Sequence, residues 1–228
     1  MNPLSKITTV VAVAMTCAFA SAESIDLTYN GIVGGGSADR ARINSSTYYA
    51  GHMSHTITSG DRAGETFSTF CIELEEYATG GSATYQIIDL ADAPDPGTPY
   101  GQTKADAVSA VIANAYALGW IDARMQADSS GTHYLARMGA IQAAVWEALG
   151  HNFNPGSGST SASLQTQYNI LMNVATFDDQ ARMAGLRAAV AVGQQDQLFI
   201  VPLPTGAYAG LALLGTIGGV RTVRRRHA

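Results

Sequence analysis

The chain has 228 residues, 46% hydrophobic and only 14% charged, which makes it too apolar for a disordered tail and too sparsely charged for an average cytosolic enzyme. Lys6 and four arginines (Arg221, Arg224, Arg225, Arg226) sit in the terminal segments, leaving eight basic residues against all 18 acidic ones in the middle. A phosphate backbone is bound through a basic face that displaces counterions, so this acidic middle speaks against nucleic acid as a partner.

Residues 1–22 read as a secretory signal. A short start carries Lys6, an apolar stretch runs from Ile7 to about Phe19, and Ala20-Ser21-Ala22 gives the small-x-small pattern of a cleavage site. No polar face interrupts the stretch at helical period, as it would in a buried N-terminal helix. Cleavage after Ala22 is expected, with the mature chain exported.

From Glu23 the chain alternates short β-type runs with turn clusters. The runs are Ile25 to Tyr29, Thr47 to Ile57, Thr66 to Leu74 and Thr84 to Leu90, and the clusters include Gly34-Gly35-Gly36-Ser37 and Ser59-Gly60-Asp61. The glycine cluster Gly31 to Gly36 precedes no helical pattern, so it reads as a turn and not as a dinucleotide fingerprint. After Pro99 the composition turns Ala-rich, with helices predicted over about Thr103 to Leu118, Thr132 to Leu149, Ser163 to Val174 and Asp179 to Val192. Asn152 to Ser161 reads as a flexible loop by composition, and Gln197 to Val201 as a closing strand. Residues 23–200 are thus expected to form one α+β domain: a small N-terminal β-sheet packed with an Ala-rich helical region and a closing C-terminal strand.

The C-terminal segment, residues 201–228, has three parts: Val201-Pro202-Leu203-Pro204, sixteen mostly apolar residues from Thr205 to Val220, and an arginine-rich end. As a helix the apolar part reaches roughly 24 Å, marginal for a hydrocarbon core of roughly 30 Å, and the arginines would stay on the cytoplasmic side. This arrangement resembles the PEP-CTERM sorting signal, in a variant form with Leu203 where that family usually has Glu. The resemblance implies an exosortase-type processing enzyme, transient inner-membrane anchoring, and release to or attachment at the cell surface. An ordinary C-terminal anchor is the plain alternative.

Common catalytic signatures are missing: there is no Walker sequence, His-Glu-x-x-His, Gly-x-Ser-x-Gly or Cys-x-x-Cys. No cofactor or metal is called for. Cys17 falls in the signal, so the mature chain keeps one cysteine, Cys71, and forms no internal disulfide. A lone exported thiol is a buried small apolar side chain, a nucleophile, or a thiol already consumed in another covalent bond. In Phe70-Cys71-Ile72-Glu73-Leu74-Glu75-Glu76 the strand period puts Glu73 and Glu75 on the face of Cys71. Those carboxylates favour the neutral thiol, against a cysteine hydrolase.

On the helix predicted from Thr132, one face runs Leu135, Met138, Gln142, Val145, Trp146 and Leu149. Gln142 interrupts an apolar stripe, and an amide buried without partners costs on the order of 1–3 kcal/mol. It is therefore hydrogen-bonded, exposed in a cleft, or chemically changed.

The segment Ile141-Gln142-Ala143-Ala144-Val145-Trp146 resembles the Thr-Gln-x-Ala-(Ile or Val)-Trp motif of bacterial surface thioester domains, with Ile141 replacing the Thr. Upstream, Phe70-Cys71 matches the same family's aromatic-or-Leu plus Cys motif. The resemblance implies an internal thioester between Cys71 Sγ and Gln142 Cδ, formed with loss of ammonia. It also implies covalent attachment to amines on a surface or matrix macromolecule, in a single-use linker and not a turnover enzyme. Phe70 and Trp146 are candidates for limiting water around the bond, although Trp146 packs first as core. Glu73 is a candidate to orient the attacking amine or act as its base, or else a solvated strand residue. Tyr48-Tyr49 forms a contact patch or serves the strand structurally. A noncovalent matrix protein, with Cys71 and Gln142 merely packed, is the alternative function.

Overall fold

Two-residue alternation is clearest in Met53–Ile57, where positions 53, 55 and 57 are buried and the two between are half-buried, as a strand with one face on a core requires. The structure, a computed structural model, describes residues 23–94 and 97–200. Residues 1–22, 95–96 and 201–228 lie outside the description. The signal reading and the sorting motif Val201, Pro202, Leu203 and Pro204 therefore fall beyond it.

In chain order the strands and α-helices are β1 (Glu23–Ile32), β2 (Arg40–Ile43), β3 (Ser46–Tyr49), β4 (Met53–Ile57), β5 (Thr66–Cys71), β6 (Ser82–Ile88), α1 (Gly101–Ala117), α2 (Tyr134–Ala148), α3 (Ala162–Leu171), β7 (Leu186–Ala191) and β8 (Gln194–Ile200). Six strands close an antiparallel barrel in the order β1-β4-β5-β8-β7-β6, and β6 returns to β1. Strands β2 and β3 form a separate two-stranded ribbon. Helix α2 packs on α1 and α3 and reaches β2. The fold is mixed α+β, with the late strands inserted between β5 and β6.

Several boundaries differ from the expectations. The helix predicted over Asp179 to Val192 is instead a turn-rich segment followed by β7. Ala188-Ala189-Val190-Ala191 is buried, and a short run of small apolar residues suits either period. Pairing with β6 and β8 decides in favour of strand, and Gly193, at φ +77°, makes the turn between β7 and β8. The run Thr47 to Ile57 is two strands, broken where Ala50 N donates to Asp39 O. The run expected to continue to Leu74 stops at Cys71. The loop 152–161 is tied down rather than free: Phe153 bridges Ile43, Arg42 N donates to Thr160 Oγ1, and Arg40 N donates to Ser161 Oγ.

Two apolar clusters divide the interior. The larger joins barrel residues such as Leu27, Phe70, Tyr85 and Leu198 to α1 and α2 through Val108, Ile112, Ile141 and Val145. The smaller gathers Ile43, Met53, Cys71, Ala143, Trp146, Phe153 and Leu164. Strand alternation sends Phe70 to the first and Cys71 to the second. Gly139 lets α2 come close to its neighbours. A Cβ there would lie 2.9 Å from Leu164 Cδ1 and 3.2 Å from both Ala50 O and Asp39 Cβ. That close approach sets the depth of the next turn of α2, which carries Gln142.

Candidate functional site

The edge pattern of β5 explains why Gln142 stands where it does. Phe70 pairs with Leu198, and Ile72 N donates to Asp196 O at 3.0 Å, so these two residues turn their main chain toward β8. Thr69 pairs on the opposite edge with Met53, the first residue of β4. By alternation the N–H and C=O of Cys71 face that same opposite edge, one step past the start of β4. The side chain of Gln142 occupies the gap.

Cys71 N–H donates to Gln142 Oε1 at 2.8 Å, and Gln142 Nε2 donates to Cys71 O at 2.7 Å. A donor meets the oxygen and an acceptor meets the nitrogen, so the partners dictate which way the carboxamide points. The amide behaves as one extra residue of ladder. Both residues are buried, Cys71 at 2% and Gln142 at 1% exposure, and the two bonds answer the desolvation cost of an amide on an apolar helix face. Cys71 and Gln142, 71 positions apart, are thus in direct contact.

The thiol donates to Glu73 O, with Sγ 2.6 Å from that oxygen. Burial pushes the Cys71 thiol up to about 12. The Trp146 side chain and the Glu73 main chain pull the other way, and the Glu73 and Asp196 carboxylates add to the rise. At neutral pH the sulfur is a protonated thiol. Turnover cysteine chemistry relies on the opposite shift, produced by a neighbouring cation or a helix N-terminus.

A cavity of about 290 Å³ opens beside the pair, and Cys71, Gln142, Trp146, Tyr48, Tyr77 and Gln195 contribute to its lining. Trp146 is one helical turn after Gln142, 2% exposed, and packs its ring 5.9 Å from that of Tyr48. Phe70 lies on the other side of the strand, fully buried, with its ring 4.6 Å from His52. It backs the site without lining the cavity. Glu73 is 8% exposed. Burial first, then the Glu76 and Glu75 carboxylates, raise its pKa, while a main-chain bond lowers it. Its carbonyl accepts from both the Cys71 thiol and Gln195 Nε2, so the main chain of Glu73 serves the site more directly than its carboxyl group. Because β5 ends at Cys71, no strand period links Cys71 to Glu73 and Glu75.

Sequence reasoning singled out Tyr48 and Tyr49, which both line the cavity, but missed Tyr29, Leu74, Tyr77 and Gln195. No local signal marks these four: they come from β1, the segment after β5, and β8, and meet only in the folded chain. Behind the site sit two buried histidines. His52 Nδ1 is 2.9 Å from Tyr134 Oη, and His55 Nδ1 is 3.2 Å from Thr69 Oγ1. Burial lowers them to about 3 and about 4 respectively, so both are neutral. Among the described residues no cluster of His, Cys, Asp and Glu is arranged to hold a metal ion, and no helix is long and apolar enough to cross a membrane.

Residues 68–176 match the model of the family described as TED: Thioester domain. The matched segment is a little under half of the chain, runs from β5 past α3, and contains both Cys71 and Gln142. No match was found among curated proteins or among solved structures.

Proposed function

We propose that the chain is an exported surface or matrix protein in which Cys71 and Gln142 condense to an internal thioester, used once to attach the protein covalently to an amine on a partner macromolecule. The observation that carries this reading is the two-point pairing of the Gln142 carboxamide with the main chain of the same residue that supplies the thiol. The match to thioester domains over the segment holding both residues supports it.

The geometry suits the chemistry. Attack of Cys71 Sγ on Gln142 Cδ forms the C–S bond and puts charge on Oε1, which already accepts from Cys71 N–H, a donor fixed in a dry site. The C–Nε2 bond breaks, the thiol proton ends on the departing nitrogen, and ammonia leaves. In use, a partner's amine attacks Cδ with the same N–H on the same oxygen. The C–S bond breaks, the amine's proton goes to the sulfur, and the products are an amide crosslink and a free Cys71 thiol. Aromatic and apolar walls limit competing water. Eleven of the 13 basic residues are arginine, whose guanidinium stays protonated, so the chain brings few amines of its own.

Residues 1–22 would direct export. The 201–228 segment would supply a transient inner-membrane anchor, removed by an exosortase-type enzyme that leaves the domain at the cell surface or in the matrix. The test is intact mass of the secreted protein. The thioester form is lighter than its sequence by one ammonia, methylamine adds to it and liberates one thiol, and Cys71→Ala abolishes both effects. A second reading, a noncovalent scaffold, draws on the same hydrogen bonds, since they satisfy the carboxamide without any condensation. Full sequence mass and no reaction with methylamine would favour it.

A further inference from the structure

We infer that the indole N–H of Trp146 is the group that carries the charge on the Cys71 sulfur when the carbon–sulfur bond forms and breaks; the inference rests on the thioester reading above. Trp146 is 2% exposed, and its Nε1 is a buried donor with no hydrogen-bond partner among the described residues. An indole N–H can only donate, and a buried donor left unpaired is costly. Its place in the fold supplies the reason for keeping it. Trp146 follows Gln142 by four residues on α2, so the two side chains share a helical face, and both line the cavity that holds Cys71. Trp146 and Cys71 also belong to the same small apolar cluster.

The other polar contacts of the pair are assigned. Cys71 N–H serves Oε1, Cys71 O serves Nε2, and the thiol proton goes to Glu73 O. What remains unserved is the sulfur once it has lost its proton. The carboxylates of Glu73 and Asp196 disfavour a negative sulfur, and the Trp146 side chain is the largest contribution in its favour. In aminolysis the electron pair of the breaking C–S bond moves to sulfur before the amine's proton reaches it. A donor facing the sulfur at that moment stabilises the leaving group, as Cys71 N–H stabilises the oxyanion. The neutral sulfur of the resting bond is a weak acceptor, so the contact strengthens along the reaction path, as differential stabilisation requires.

The decisive variant is Trp146→Phe, which keeps an aromatic ring in the cluster and removes the N–H. The free thiol of methylamine-treated protein, wild type and variant, is titrated with iodoacetamide from pH 7 to pH 10. Loss of a hydrogen bond to the thiolate is expected to lower the alkylation rate about ten-fold at each pH and to move the profile upward, with methylamine opening slowed to a similar degree. A merely structural Trp146 gives the opposite, since a loosened site exposes the thiol and speeds alkylation. Unchanged or faster alkylation overturns the inference. Should the variant fail to fold, the wild-type chain is prepared with a fluorinated tryptophan whose ring nitrogen is a stronger donor. Faster alkylation then supports the role, and an unchanged rate overturns it. If the untreated wild-type protein already shows full sequence mass and a free thiol, the thioester reading has failed, and the same comparison of alkylation rates still decides whether Trp146 serves the sulfur.

Discussion

Replacing Gln142 with Glu tests the two-point pairing without any need for the thioester to form. The comparison is made in a Cys71→Ala background, where the main-chain groups of position 71 remain and no bond can close. An ionised carboxylate would accept from the N–H of position 71, but its second oxygen would face the carbonyl oxygen that Nε2 now meets at 2.7 Å. Two acceptors cannot share that contact. A protonated carboxyl restores both bonds by donating its O–H, so folding favours the protonated form and raises the carboxyl pKa above its unfolded value of about 4.3. Fully buried carboxyl groups shift by up to about 3–5 units, and a rise of about 3 suits a site that is 1% exposed. With the folded pKa raised, the variant's stability is intact below the unfolded pKa and is lost as pH rises toward the folded one. The deficit against the Cys71→Ala parent is then about 1 kcal/mol at pH 5 and about 4 kcal/mol at pH 8. Urea denaturation of both proteins across that range measures it, and other titrating groups cancel in the difference. A deficit that stays flat with pH, or vanishes at pH 8, would mean that water reaches the carboxamide or that Cys71 O is not its partner, and the argument for a preorganised Gln142 would fall.

His52 and His55 are buried and neutral, with pKa values lowered to about 3 and about 4. The unfolded chain takes up protons below about 6.5 while the folded one does not, so at pH 5 the two histidines together cost about 4 kcal/mol of stability relative to neutral pH. Conversion of both to Gln is expected to flatten the melting temperature between pH 5 and 7. Gly139→Val places side-chain atoms against Leu164, Ala50 O and Asp39. It is expected to cost about 1–3 kcal/mol and, by lifting α2 from β5, to reduce the fraction of protein that shows the ammonia-loss mass.

The fold class and the three α-helices were legible because their signals are local. Strand alternation and the 3.6-residue stripe survive in the sequence wherever an element has one buried face, as in β4 and α2. The segment Leu186–Ala191 was not legible, since its alanines and Val190 fit a helix equally well and only pairing between β6 and β8 selects the strand. The ends of β3 and β5 were likewise set by partners from elsewhere: Ala50 turns away to Asp39, and Cys71 meets a side chain where the ladder would have continued. At the site, Gln142 announced itself as a polar residue in an apolar stripe and Cys71 as the one cysteine outside residues 1–22. The tyrosines and Gln195 carry no such mark, because an aromatic residue in a strand looks the same whether it fills a core or walls a cavity.

The pairing that positions Gln142 also bears on where the drive for a crosslink would come from. As an amide, Gln142 supplies both partners that Cys71 needs, an oxygen for its N–H and an N–H for its oxygen. Condensation would keep the first and expel the second with the ammonia, leaving Cys71 O a buried acceptor without its donor, at a cost of about 1–3 kcal/mol. That unmet acceptor would make a closed thioester a loaded state in structural terms as well as chemical ones. A primary amine would not relieve it, because the trans amide it forms puts its substituent, not its N–H, on the side that faces Cys71 O, and the cis form that would turn the N–H back costs about 2.5–4 kcal/mol. A secondary amine or a hydroxyl group leaves a product with no N–H and the acceptor still unmet. None of the three rebuilds the two-point pairing, so the strand edge favours the uncondensed carboxamide, and the drive to form a crosslink would come from the thioester bond itself.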